Sequence, residues 1–434
     1  MEKILSQAKK IAQHAEVFQV SSKVTPVNFE ANRLKEIQAK ESTTTGLRII
    51  KDGKVGFAQS NGFIEPNALV EMAVETSQFG MHAAFEFPDS KVYPQTKVFD
   101  QQVEKLTLEN MAQLGEQLIS SVKRHAPSIV CEATVDKGIV RVSIMNSAGC
   151  NTSYSKSFFS IGLEGVLVKG EDMLFVGDSM SSCHPLTDVE PLAREVTTEL
   201  DLASRNANVT TNLMPAIFTP RGVASALISP LISAFNGKTV YDGASPLKDK
   251  LGAQVFDKRF SLRDDATLPY QVASYPCDDE GVPGQRTILV DHGVVSHFLY
   301  DLQTASLAKT KSTGNGDRRG GMPAPSPSSF VIDGGNVTLA DMIKDIGEGL
   351  VIDILIGAEQ GNILNGDFSG NVLLGYKIEN GEIAGRVKDT IVAGNVYQLL
   401  KHIEAIGSDA RWVEGFLFTP SLYCSGLSVA SKVR

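Results

Sequence analysis

The sequence predicts an α+β protein of two domains: helices with an antiparallel or mixed sheet first, a strand-rich domain second. Three observations carry this. A chain of 434 residues is longer than one hydrophobic core organises. Up to Ser204 the elements run hairpin, helix, helix, β-rich stretch, helix, without the βαβ alternation that builds a parallel sheet. Beyond Pro215, Gly, Asp and Pro turn signals recur at short spacing between β-like runs.

The elements follow in order. Ile4, Ala8, Ile11 and Ala15 recur at helical spacing and predict a surface helix over residues 2–15. Glu16–Val24 alternates as a strand. Gly46–Ser60 forms a hairpin turning at Asp52-Gly53, residues that tolerate the positive φ of a type I′ turn. A helix over Pro66–Phe79 would turn Leu69, Met72, Ala73 and Thr76 inward. Residues 80–103, rich in Pro, Phe, Tyr and Asp, make a long surface connection, and Leu106–Arg124 is helical. From Ser128 to Ser182, turn signals at Asp136-Lys137-Gly138, Asn146–Gly149 and Lys169–Asp172 separate β-like runs. A helix over Val189–Ser204 closes this half. The polar stretch Asn206–Pro215 is the expected boundary, giving domains 1–210 and 211–434.

In the second half, Arg221–Phe235 reads as a helix that Pro230 breaks or kinks. Residues 310–329 are too rich in Gly, Pro and Ser for regular structure, and loops of that length are functional or mobile. Asn365–Val396 is the best-punctuated segment. It has a Gly-Asp-Phe-Ser turn, a strand, an Asn380-Gly381 hairpin, a second strand, and Ala393-Gly394-Asn395 opening a helix.

Bulk composition removes several function classes. A formal charge of −9 argues against a dedicated nucleic-acid binder. The five cysteines are scattered and no C-x-x-C pair occurs, so neither a zinc ribbon nor a disulfide framework is expected. The N-terminal segment has no long apolar core. The most apolar run, Leu350–Ala358, carries Asp353 and falls short of the roughly 20 residues a membrane span needs. A cytoplasmic location without membrane contact is the expectation.

The common catalytic signatures are missing. None of the seven histidines precedes a glutamate, and His292 and His297 would point to opposite faces of a strand. Gly366-Asp367-Phe368-Ser369-Gly370 misplaces its serine for a nucleophile elbow, so Asp367 and Ser369 are read as turn residues capping backbone donors. Gly314–Gly320 lacks the Gly-Lys-Ser/Thr of a phosphate loop and is read as a flexible surface loop, with anion binding the alternative. Asp278-Asp279-Glu280 is read as solvated turn carboxylates, with acid/base work or cation binding the alternative. Cys424, in an apolar strand without a neighbouring base, is read as a buried structural thiol.

Laid in register, a series of short segments resembles the TldD/PmbA family of metalloprotease components and modulators of DNA gyrase. The series starts with Ser245-Pro246-Leu247, Leu251-Gly252, Asp279–Pro283, Asp291-His292-Gly293 and Phe298–Asp301. It continues with Ser312–Asn315, Gly366–Ser369, Ile378–Ile383, Ala393–Asn395, Ile406–Asp409 and Pro420–Leu422. In the family's TldD branch, an H-E-x-x-x-H helix and a later cysteine hold a metal. The ungapped placement of that helix here is Ala224–Ser233, where Ile228, Ser229 and Ser233 take the ligand positions. Ala410–Gly415 holds no cysteine either.

The resemblance therefore implies the PmbA/TldE branch. On that expectation the chain is a metal-free subunit without catalytic residues or cofactor. It pairs as a homo- or heterodimer with a TldD-like metalloprotease and shapes a chamber for unfolded or extended peptides. Asp279, Glu280, Thr313, Gly314, Asn315, Arg318, Asp367 and Ser369 are the residues expected to meet peptide or partner. The rivals are an autonomous peptidase with an unrecognised site and a protein-binding regulator of the gyrase-modulator kind.

Overall fold

A computed structural model describes residues 1–431. The first half is a short helix α1 (Glu2–Ala8) and seven strands. These are β1 (His14–Glu30), β2 (Arg33–Ile37), β3 (Lys40–Lys51), β4 (Lys54–Asn61), β5 (Val130–Asn146), β6 (Asn151–Lys169) and β7 (Asp172–Ser182). Between β4 and β5 lie α2 (Pro66–Ser77), α3 (Gln101–Lys105) and α4 (Leu108–His125), and α5 (Glu190–Leu202) follows β7. The strands form one antiparallel sheet in the order β4-β3-β1-β5-β6-β7, with β2 beside β1.

Several sequence expectations change here. The first helix ends at Ala8 because Ala15 and Val17 belong to the sheet, opposite Ile49 and Leu47, and are fully buried there. Asp136-Lys137-Gly138 is not a turn but the middle of β5. Its glycine makes room for an aromatic ring, since a Cβ at Gly138 would lie 2.2 Å from Phe158. On α2 the buried face is Leu69, Val70, Ala73 and Ser77, while Met72 is exposed. The Asp52-Gly53 turn forms as expected, with φ of 51° and 71°.

Because side chains alternate across a strand, the sheet has two faces. One carries Val17, Val27, Leu47 and Val135 and is covered by α1, α2, α4 and α5. The other carries Glu16, Phe18, Arg48, Val140, Val142, Tyr154 and Lys156 and turns toward the second half.

The second half begins with β8 (Asn206–Ala207), β9 (Asn212–Phe218), α6 (Pro220–Ala226), α7 (Ile228–Phe235) and α8 (Gly237–Tyr241). Next come β10 (Leu262–Asp265), β11 (Arg286–Asp291), β12 (Val294–Val295), α9 (Leu302–Leu307), β13 (Gly316–Asp317), β14 (Ala324–Pro325), β15 (Phe330–Ile332) and α10 (Leu339–Lys344). The chain continues with β16 (Glu348–Ile356), β17 (Asp367–Glu379), β18 (Glu382–Val387), β19 (Thr390–Asn395), α11 (Val396–Lys401), β20 (Ile403–Ile406), β21 (Arg411–Val413), β22 (Leu417–Thr419) and β23 (Leu422–Ser431).

Strands β16-β9-β23-β19-β17 follow one another, and β16 also pairs with β17, so these five close on themselves. Closure removes the free edges that an open sheet would present. A second sheet runs β12-β11-β10-β15-β22-β21, with β15 and β22 parallel. The architecture is thus α+β in two parts, the second strand-rich. The two parts share a core. Ile217, Val351, Leu374 and Ile378 of the second half pack with α4, α5 and β5–β7 of the first.

The break near Pro230 falls at Leu227, which separates α6 from α7. Asn380-Gly381 turns β17 into β18 with φ of 52° and 79°. One strand was missed in that segment: β19 intervenes before Asn395 caps α11. Among the described residues no helix is long and apolar enough to cross a membrane.

Candidate functional site

The uncovered sheet face does not meet the second half flush. Between them lies a cleft of about 1090 Å³. Val140, Val142, Tyr154, Lys156 and Phe158 form the sheet side. Ile232 of α7 and Asn236, at the junction between α7 and α8, contribute from the other half, with the segments around Tyr275–Asp279 and Gly316–Ser328.

Beside this wall, on the same sheet face, the two halves are joined by buried charge. On the sheet, Glu16 of β1 faces Arg48 of β3 in register. Arg48 Nη1 donates to Glu280 Oε1 at 2.7 Å and Nη2 reaches Glu16 Oε1 at 3.0 Å. Its guanidinium also lies 4.7 Å and 4.9 Å from the ring centres of Phe85 and Phe87, which face inward from the segment expected to be a surface connection. Arg318 donates to Glu16 from the opposite side and, through Nε, to the Asp279 carbonyl at 3.1 Å. Phe18 backs it at 5.1 Å. Two arginines and two glutamates therefore alternate across the junction, the arrangement that burying such charges requires.

The acids beside this network are held by backbone amides. Asp278 accepts from the Glu280, Val282 and Gly316 N–H groups at 2.9–3.0 Å. Burial and then the neighbouring Glu280 hold its carboxyl well above the usual range. Asp279 accepts from Arg318 N at 2.9 Å, and burial pushes it up to about 6. Asp301 caps α9 through Thr304 N at 2.8 Å and is pushed up to about 6 by burial and by Glu280. Gly281, at φ 77°, lets this turn pass Cys150, whose Sγ would lie 3.0 Å from an added Cβ.

These findings correct the reading of Asp278-Asp279-Glu280 as solvated: Asp278 and Glu280 are buried because the first half packs over them. They also correct the reading of Gly314–Gly320 as a surface loop. Gly314, Asn315, Gly316 and Arg318 are buried, and only from Arg319 onward does the segment reach solvent. Thr313 exchanges hydrogen bonds with the Tyr300 backbone, and the Gly314 carbonyl accepts from Tyr275 Oη at 2.8 Å. Asn315 donates to Asp264 Oδ2 at 2.7 Å. Of the eight residues singled out in the sequence, Asp279 lines the cleft, while Glu280, Thr313, Gly314, Asn315 and Arg318 stand behind it. Asp367 and Ser369 lie apart, exposed on β17. Asp367 accepts from the Asn395 side chain at 2.8 Å instead of capping backbone donors.

Sequence reasoning missed Glu16, Tyr154 and Lys156 as functional candidates, and it read Arg48 only as part of a hairpin. One signal was available: Arg48 interrupts the apolar run Leu47–Ile50, and a lone charge in a buried strand needs a partner.

The metal-bearing helix of the family's TldD branch falls, in the ungapped placement, on Ala224–Ser233, and the residues there do not fit a metal. Ile228 is apolar and buried, Ser229 and Ser233 are neutral hydroxyls, and the helix that would present them breaks at Leu227. His292 and His297 are exposed, His292 in a positive-φ turn and His297 bonded to the Ile288 carbonyl at 3.0 Å. Cys424 is buried, with its thiol pushed up to about 12 by desolvation. Among the described residues no group of three or more His, Cys, Asp or Glu is placed to hold a metal ion.

Comparison with known proteins bears on this arrangement. Residues 211–431 match a family model described as the PmbA/TldA metallopeptidase C-terminal domain, and residues 15–77 match PmbA/TldA metallopeptidase domain 1. An uncharacterized protein of Methanocaldococcus jannaschii is 29% identical over 98% of this chain and 99% of its own length. Metalloprotease PmbA of Escherichia coli O157:H7 is 29% identical over 60% of this chain and 55% of its own. The crystal structure of TldE from Thermococcus kodakarensis superposes with a TM-score of 0.89 at 23% identity, covering 99% of this chain and 100% of that one, so the fold is shared.

Proposed function

Since the chain belongs to the PmbA/TldD metallopeptidase family, we propose that it serves there as a metal-free, PmbA/TldE-like subunit. It assembles with a TldD-like metalloprotease and offers its cleft to an extended peptide. The observation that carries this reading is the α7 face. Ile232 reaches the cleft from the helix that resembles the family's metal-bearing one, yet Ile228, Ser229 and Ser233 supply no nitrogen or thiolate. Chemistry at a metal would then belong to the partner, and this chain would hold and orient the substrate.

The cleft suits that task. Val140, Val142, Tyr154 and Phe158 give its sheet side an apolar and aromatic lining beside Lys156, and its volume of about 1090 Å³ is just above the usual range of small-ligand sites. Asp279 would meet the peptide, while Glu280, Asn315 and Arg318 would fix the loops that bear it. Asp367 and Ser369, exposed on β17, would face a partner subunit instead. In this reading the boundary between the two parts falls near residue 210.

The test is a peptidase assay on an unfolded peptide mixture. This chain alone, treated with chelator, should be inactive, and adding a TldD-like partner with its metal should give cleavage. Full hydrolysis by the isolated, chelator-treated chain would sink the reading.

A further inference from the structure

Lys156 of β6 pairs with Val140 of β5 on the sheet face that walls the cleft. Its ammonium has three donors, and one is used, at 2.8 Å, on the Ser274 carbonyl. Among the described residues no carboxylate forms an ion pair with it. The other cation lining the cleft, Arg319, is already paired with Asp317 at 2.8 Å. The neighbouring acids are engaged as well, Asp278 and Asp279 by backbone amides. Partial burial lowers the pKa of the half-buried Lys156 to about 8, with Cys183 and Asp279 opposing that shift. A half-buried ammonium with no carboxylate paired to it carries a desolvation cost, and Val140, Val142 and Phe158 around it offer no partner.

We propose that Lys156 receives a carboxylate of the peptide in the cleft, so that the site selects extended peptides by an acidic group. That group is the free C-terminus or an Asp or Glu side chain. The inference rests on the reading of the cleft as a peptide site.

The experiment is fluorescence anisotropy on the full chain with three N-terminally labelled hexapeptides of Ala and Val. One ends in a free carboxylate, one in an amide, and one in an amide with a central glutamate. The free acid or the glutamate peptide should bind roughly tenfold or more tighter than the neutral amide, the size expected of a charge-assisted hydrogen bond. Which of the two gains identifies the carboxylate's source. Lys156→Met should erase the preference, with an unchanged far-ultraviolet circular dichroism spectrum and melting temperature reporting an intact fold. Lys156→Gln, which keeps a donor for Ser274, should do the same if the methionine variant misfolds. Equal binding of all three peptides by the wild type, or a preference that survives both substitutions, overturns the proposal while leaving a peptide cleft. Binding of none of them overturns the peptide cleft itself and the inference with it.

Discussion

Arg48 and Glu280 stand 232 residues apart in the chain and 2.7 Å apart in the fold, both withdrawn from solvent. That one contact ties the middle of the first sheet to the loop that bears Asp278 and Asp279. Removing a single partner strands a buried charge, which costs far more than the pair contributes. Glu280→Ala should therefore lower unfolding free energy by about 3–5 kcal/mol in equilibrium urea denaturation. Glu41→Ala, which removes an exposed partner of Lys23, should leave the urea midpoint unchanged. Equal effects would show that the junction is solvated.

Asp279 supplies a pH signature. Its folded pKa of about 6 lies above the ordinary 3.8, so the folded state binds its proton more tightly than the unfolded chain does. The stability from that proton is fully present below about pH 4 and is lost as pH rises through about 6. Asp279→Asn should flatten the stability profile between those values by on the order of 2 kcal/mol, measured as the change of urea midpoint with pH. An unchanged slope would place the carboxylate in water.

A second buried cluster joins α5, α6 and β16. Arg221 lies between Glu199 and Asp353, and Thr219 Oγ1 donates to Asp353 at 2.5 Å. Burial pushes Glu199 up to about 8 despite Arg221. Arg221→Met leaves two facing carboxylates and should destabilise by roughly 3–5 kcal/mol at pH 9. The loss should shrink near pH 6, where Glu199 is protonated in the fold. Thermal unfolding at both pH values checks this, and a penalty that grows on acidification would contradict it.

Chelation gives a fourth check. Exhaustive treatment with a strong zinc chelator should leave the melting temperature of the isolated chain unchanged, because α7 offers Ile228, Ser229 and Ser233 where ligands would stand. Elemental analysis of the untreated protein should find no stoichiometric metal. A chelator-induced drop of several degrees would reveal a ligand set elsewhere.

Turns and capped helices were legible in the sequence because their signals are local. Asp52-Gly53 and Asn380-Gly381 adopt the positive φ their residue types favour, and α4 starts at the Thr107 cap within two residues of its expected position. Errors arose where one signal had two causes. Gly138 was read as a turn residue, but it is small because Phe158 needs the space. Asp278 and Glu280 looked solvated because turn carboxylates usually are, and nothing near them announced that Arg48 would arrive from the other half of the chain. Lys156 alternates like its neighbours in β6, so its lack of a paired carboxylate among the described residues could not be read locally.

The sequence by itself determined the fold class, the main turns, the family and the absence of metal-binding residue types on α7. All of these depend on residues close in the chain or on motif order. Only the tertiary structure decided which face of the first sheet is left open, which charges meet there and that a cleft lies beside them. Those outcomes depend on contacts between residues hundreds of positions apart, such as Glu16 and Arg318 at a separation of 302. Burial turns such charges from indifferent surface groups into constraints that must be matched, and only the packed fold shows which are matched and that Lys156 is not.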